Sequence, residues 1–114
     1  MADEIPVPDT RAGFEELLRF AQTYNGYALH GGLSGLRAFL GAAWGEREAV
    51  EELPDDVDLL RACLFFEHRQ HYFSGGMYVF ETEPKVVALL ERIRAVAGET
   101  VPRRDAKCAS ARSG

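Results

Sequence analysis

The chain has no run of about 18 apolar residues, so we expect no membrane span. Its only two cysteines, Cys63 and Cys108, are far apart in the sequence, which excludes a disulfide framework and a paired-ligand motif. The stretch from Met1 to Pro8 is acidic and lacks the basic start and apolar centre of a signal peptide. Together these absences predict a cytoplasmic protein.

Lysine is scarce: eleven of the thirteen basic residues are arginine, a bias typical of GC-rich bacterial genomes. Acidic residues number 18, and the formal net charge is −5. Residues 1–60 carry a charge of −8 and residues 61–114 a charge of +3. Because phosphate attraction needs a basic face, this balance makes nucleic-acid binding an unfavoured hypothesis. An acidic first half is better suited to a basic protein surface.

With 114 residues, of which 46% are hydrophobic, the chain is long enough for one domain with its own core. Helical spacing of the apolar residues predicts an all-α fold, a small four-helix domain with short connections. We place this domain at residues 10–98, between a flexible acidic leader (1–9) and a disordered basic tail (99–114). The expected helices begin at Asp9 or Thr10, at Ser34, near residue 56 and at Thr82, with a short acidic helix at 46–53 and an irregular or β-like segment at 77–80.

The predicted central helix, residues 56–73, is apolar on most of its circumference, which is typical of a helix packed on several sides. At 100° per residue only Arg61, His68 and Arg69 lie clearly outside the apolar surface. Glu67 and His71 fall inside it, one turn apart. A buried carboxylate needs a partner, and a residue four positions on is within reach. The spacing therefore predicts a hydrogen bond between Glu67 and His71, or an ion pair between Glu67 and an arginine of another helix.

Two chemical alternatives use the same helix. Cys63, Glu67 and His71 form an i, i+4, i+8 stripe that, with His68, is a candidate metal site, although the spacing is not of the His-Glu-x-x-His type. In the other alternative Glu67 orients His71 for acid–base catalysis.

Further candidate ligands and catalytic groups lie in the glycine-rich stretch before the second helix. Tyr27 and His30 stand among three glycines there, and hydrogen-bond donors beside apolar surface are suited to a ligand-binding or catalytic site. A structural corner is the favoured interpretation of this stretch, because Asn25-Gly26 is expected to end the first helix and Gly31-Gly32 to form a turn.

No catalytic or cofactor signature is present, so the sequence favours a binding protein over an enzyme and predicts no cofactor. Our leading hypothesis is a small binding or regulatory protein that contacts another protein or a second copy of itself. A narrower form is an acidic inhibitor or immunity-type partner of a basic protein. The predicted contact residues are acidic: Glu46, Glu48, Glu51, Glu52, Asp55 and Asp56. The rivals are an enzyme or metal-binding domain centred on Glu67 and His71, and nucleic-acid binding through the positive second half.

Overall fold

Four α-helices, one 3₁₀ helix and two short strands form the part of the chain that the computed structural model describes, residues 4–24, 31–41 and 47–103. In chain order they are β1 (Glu4–Pro6), α1 (Phe14–Ala21), α2 (Gly32–Leu40), the 3₁₀ helix (Arg47–Glu52), α3 (Val57–Phe73), α4 (Val79–Ala97) and β2 (Thr100–Pro102). The radius of gyration is 13.5 Å. The expectation of a small, mostly helical fold is confirmed. None of the described helices is long and apolar enough to cross a membrane.

Helix α3 begins and ends where its sequence signals predict. Asp56 caps it, since its side chain accepts hydrogen bonds from the backbone N–H groups of Asp58 and Leu59 at 3.0 and 3.3 Å. Gly75 and Gly76, both with positive φ, follow its last turn and end it. Helix α3 packs against α1, α2 and, most extensively, α4. Its inward side contributes to the core a set of fully buried residues: Leu60, Ala62, Cys63 and Leu64.

Of the irregular or β-like segment predicted at residues 77–80, only Met77 and Tyr78 are irregular, as part of a turn, and no strand forms. The chain turns after α3, and α4 begins at Val79 rather than at Thr82. Within the turn, the Gly76 N–H donates to the His71 carbonyl at 3.0 Å and the Val79 N–H to the Gly76 carbonyl at 3.2 Å. These turn bonds and the first turn of α4 satisfy the backbone, so β-prone side chains form no strand here.

Helices α1 and α2 also differ from their predicted starts. Asp9 caps a turn instead of a helix: its Oδ1 accepts a hydrogen bond from the Arg11 N–H at 2.9 Å. Helix α1 then begins at Phe14. Helix α2 begins two residues before Ser34 and ends at Gly41, whose φ is +70°. The predicted Asn25-Gly26 stop of the first helix lies outside the described residues.

The two ends of the domain pair with each other, where the sequence led us to expect a flexible leader and a disordered tail. Strands β1 and β2 are antiparallel, with Ile5 opposite Val101 and both side chains buried. A pair of three-residue strands from opposite ends of a chain has no local periodicity, so hydrophobic spacing could not reveal it. Residues 1–3 and 104–114 lie outside the described residues.

Arg61 anchors β2 to the helices, although the helical wheel placed it outside the apolar surface. Its side chain is only 1% exposed. Nη1 donates to the Pro102 carbonyl at 2.5 Å and Nη2 to the Thr23 hydroxyl at 3.3 Å. The guanidinium also lies 4.8 Å from the centre of the Tyr24 ring. The unexpected sheet therefore explains why this arginine is buried.

Candidate functional site

Glu67 forms a buried ion pair with a lysine. Its Oε2 lies 3.2 Å from Nζ of Lys85 on α4, and the two side chains are 3% and 9% exposed. Neither partner predicted from the sequence, His71 or an arginine of another helix, takes this place. Lys85 lies on the face of α4 that packs on α3, next to buried Val86 and one turn before buried Leu89. The pair stands in the wall of a cleft of about 330 Å³.

His71 lies on a different cleft, of about 250 Å³, together with His68. Its ring meets the ring of Phe14 edge-on, with 5.2 Å between ring centres. Its Nδ1 is buried and has no hydrogen-bond partner in the described part of the chain. Glu67 and His71 thus line different clefts, and the charged partner of Glu67 is Lys85.

His68 accepts a hydrogen bond on the same cleft. Its Nε2 lies 3.0 Å from Nε2 of Gln22, and because an amide nitrogen only donates, the histidine nitrogen is the acceptor. Burial lowers the pKa of His68, and the nearby His71 and Arg69 lower it further. Burial at this position therefore favours the neutral form of the His68 imidazole.

The predicted metal ligands are not brought together. Burial raises the pKa of the Cys63 thiol to about 12, with a further contribution from the charge of Glu67, so the thiolate that binds metal is disfavoured. Across residues 4–24, 31–41 and 47–103, no three His, Cys, Asp or Glu side chains cluster as a metal site would require. His30 and Tyr27, the other candidate site residues, lie outside this part of the chain.

Two residues of the predicted acidic contact surface, Asp55 and Asp56, make contacts that stabilise the fold. Asp56 caps α3, and Asp55 Oδ1 lies 2.6 Å from Nη2 of Arg92 on α4. Arg92 also donates to two backbone carbonyls at the end of the 3₁₀ helix and just after it. Of the remaining acids, Glu51 and Glu52 are exposed, whereas Glu46 and the side chain of Glu48 lie outside the described residues.

The end of the α3–α4 hairpin exposes large apolar side chains, a feature that the sequence did not lead us to expect. Five of them, each 55–90% exposed, stand within nine consecutive residues. We call these five the aromatic tip: Tyr72, Phe73, Met77, Tyr78 and Phe80. The helical wheel had assigned Tyr72 and Phe73 to the buried surface. The sequence did contain a signal for this exposure, namely the Ser-Gly-Gly turn. Turns lie on the surface, so apolar residues on either side of one lie at the exposed end of the hairpin.

Two rings of the aromatic tip, Tyr72 and Phe73, contact each other and neighbouring side chains of α3. The rings of Tyr72 and Phe73 meet edge-on with 5.4 Å between their centres. The Arg69 guanidinium lies 4.9 Å from the centre of the Phe73 ring, and the His68 ring stacks on Tyr72 at 6.4 Å. Tyrosine, phenylalanine, methionine and arginine are the residue types enriched at the centres of protein–protein interfaces.

Comparison of the chain with protein-family models, curated proteins and solved structures finds no match. Any functional argument therefore rests on the geometry of the chain's own residues.

Proposed function

We propose that this chain is a small binding or regulatory protein that acts through contact with protein, and that the aromatic tip is its contact surface. The observation that supports this proposal is the exposure of five large apolar side chains in nine residues. At about 200 Å² for each side chain, the exposed fractions correspond to roughly 700 Å² of surface. This sum over five side chains is of the order of the largest apolar patch on a typical monomer, about 300–600 Å². An apolar surface of this size favours burial against a partner.

The turn that carries the aromatic tip is well ordered by its own hydrogen bonds, which favours binding. The Gly75 N–H donates to the Tyr72 carbonyl at 3.3 Å, and the Met77 N–H donates to the Ser74 carbonyl at 3.3 Å. A Cβ on Gly76, whose φ is +81°, would meet the His71 ring at 3.6 Å, so the turn also packs closely on α3. A preformed surface loses less conformational entropy when it binds.

The acidic surface has weaker support as the contact site. Two of its members are already held by Arg92 and by the start of α3, which leaves Glu51 and Glu52 as the described acids free of those roles. The narrower hypothesis of an inhibitor or immunity-type partner of a basic protein depends on that acidic surface. We therefore place the contact at the aromatic tip instead.

A capture experiment with matched variants tests the proposal. Full-length chain is immobilised as wild type, Phe80→Glu or Phe39→Glu, and each is exposed to an extract of the source cell. Phe39 is the control because it is also exposed, at 61%, but lines a cleft with Leu59 at the start of α3. Leu59 is about 20 Å along the helix axis from Tyr72.

We expect wild type and Phe39→Glu to retain the same protein, which can be this chain itself, in stoichiometric amount, and Phe80→Glu to lose it. The proposal fails when no protein is retained, or when both variants retain it equally.

We also propose a cytoplasmic location, and α3 as the central helix of a four-helix domain. The location is supported by the sequence composition, and the central position by the packing of α3 against α1, α2 and α4. Cell fractionation tests the location: recovery of the chain in the membrane or secreted fraction contradicts it. Hydrogen exchange tests the central position, since a central helix should exchange its amides more slowly than the other three.

A further inference from the structure

We propose that the partner of the aromatic tip is a second copy of this chain, so that the protein is a two-fold symmetric homodimer. This inference rests on the proposed function and names the occupant of its contact surface. Closed two-fold dimers are the commonest oligomers of soluble proteins, and in them the same patch of each copy meets itself.

The area of the tip matches what such a dimer requires. A stable interface of standard size buries about 800 Å² on each partner. The aromatic tip alone exposes roughly 700 Å² of large side chains on each copy, by the estimate of about 200 Å² for a whole side chain. Two tips in full contact would therefore bury at most about 1,400 Å² in total, inside the usual range of about 1,200–2,000 Å².

The charges around the tip favour a partner that carries both signs of charge, as a second copy of the chain does. Arg69 lies on the α3 side, beside Phe73, while Glu81 and Glu83 are exposed on the first turns of α4. A strongly basic partner would meet repulsion from Arg69, and a strongly acidic one would meet repulsion from the two glutamates. When the two-fold axis runs between the basic and the acidic side of two identical tips, the basic side of each faces the acidic side of the other.

The two most exposed side chains of the tip are suited to self-association. Phe80 is 90% exposed and Met77 is 72% exposed, so neither side chain is engaged in the core of the monomer. Buried aromatic side chains near the centre of an interface carry a large share of binding energy. Phe80 is therefore the residue at which a charge should be most harmful to the dimer and least harmful to the fold.

Light scattering on purified full-length chain, from low-micromolar to sub-millimolar concentration, tests this inference. We expect wild type to approach twice the chain mass of 12.7 kDa as concentration rises. Phe80→Glu should raise the dimer dissociation constant about 30-fold or more, because each interface contains the substitution twice. Met77→Glu should act in the same direction, and Phe39→Glu should leave the constant unchanged. Circular dichroism of each variant verifies that it remains folded.

A wild-type mass of 12.7 kDa at every concentration overturns the inference, as does a dimer that both Phe80→Glu and Met77→Glu leave intact. The capture experiment then separates the two proposals. If the chain is a monomer and captures a different protein that Phe80→Glu fails to capture, the homodimer is contradicted and the proposed function is supported. A monomer whose tip retains nothing contradicts both.

Discussion

Replacement of Lys85 with methionine is the perturbation that should reveal most about the interior of this fold. The substitution keeps most of the side-chain volume and the aliphatic contacts of the lysine, but it removes the cation 3.2 Å from Glu67. Because the Glu67 side chain is only 3% exposed, its charge would then be left in the interior without that cation. Removing one member of a buried ion pair typically costs about 3–5 kcal/mol.

For a chain of this length each kcal/mol corresponds to about 4 °C in melting temperature. We therefore expect Lys85→Met to melt roughly 10–20 °C below wild type at pH 7.5. Urea unfolding of the same proteins gives the free energy of unfolding directly. The loss is a large fraction of the total stability of a small domain, about 5–15 kcal/mol.

The double variant Lys85→Met with Glu67→Leu identifies the cause. When both charges are replaced with apolar groups of similar size, stability should return to within about 1 kcal/mol of wild type or exceed it. A single variant that loses less than about 1 kcal/mol would show that Glu67 is well hydrated and would refute the buried pair. A double variant as unstable as the single one would show that the loss comes from packing.

Three further predictions concern the histidines and the buried thiol. His71→Ala should cost only about 0.5–1.5 kcal/mol in urea unfolding, because the variant loses the edge-on ring contact with Phe14 while Lys85 still pairs with Glu67. His68, whose pKa is lowered in the folded state, contributes stability that is present above pH 6.5 and is lost as the pH falls through its folded pKa. The melting temperature of wild type should therefore fall between pH 7.5 and 5.5 more than that of His68→Gln. Cys63, with a thiol pKa of about 12, should resist a thiol reagent at pH 8 until the protein unfolds, measured in Cys108→Ser.

Each of these predictions has an outcome that contradicts it. A loss well above 2 kcal/mol in His71→Ala would mean that the ring has a buried hydrogen bond of the kind that the sequence predicted. Parallel pH profiles of wild type and His68→Gln would show that burial does not disfavour the charged imidazole. Reaction of Cys63 at the rate of an exposed thiol would place it on the surface.

Helix α3 could be predicted almost in full, because its signals are local. An apolar repeat, an acidic cap at Asp56 and a glycine stop after Ser74 all act within one or two turns of the residues they specify. The same holds for the end of α4, where Gly98 adopts a φ of +93°. Where one element's own sequence decides its structure, periodicity and capping are sufficient.

Contacts between distant segments were not predictable in that way. The partner of Glu67 lies on another helix, and helical spacing on α3 pointed only to His71. Lys85 did carry a signal, since it occupies the apolar stripe of α4 one turn before Leu89. The burial of Arg61 depends on Pro102 at the opposite end of the domain, a contact that only the folded chain creates.

The aromatic tip was missed for a different physical reason. Hydrophobic patterning assumes that apolar side chains are buried, and it assigns Tyr72 and Phe73 to the core by their angle on the helix alone. Whether a neighbouring element covers that side of α3 at the end of the helix depends on where the chain reverses direction. Here the chain turns at Ser74 to Tyr78, so α3 and α4 extend these side chains into solvent. Exposure at the end of a hairpin is thus a tertiary property.

The central claim is that the protein works through the aromatic tip, and photo-crosslinking inside the source cell tests it most directly. A benzophenone-bearing phenylalanine replaces Phe80 in one strain and Phe39 in another, and the products are separated by mass after illumination. The account predicts a discrete protein adduct from position 80, at twice the mass of the chain for the homodimer, and none from position 39. Absence of an adduct at position 80, or equal adducts at both positions, would contradict it.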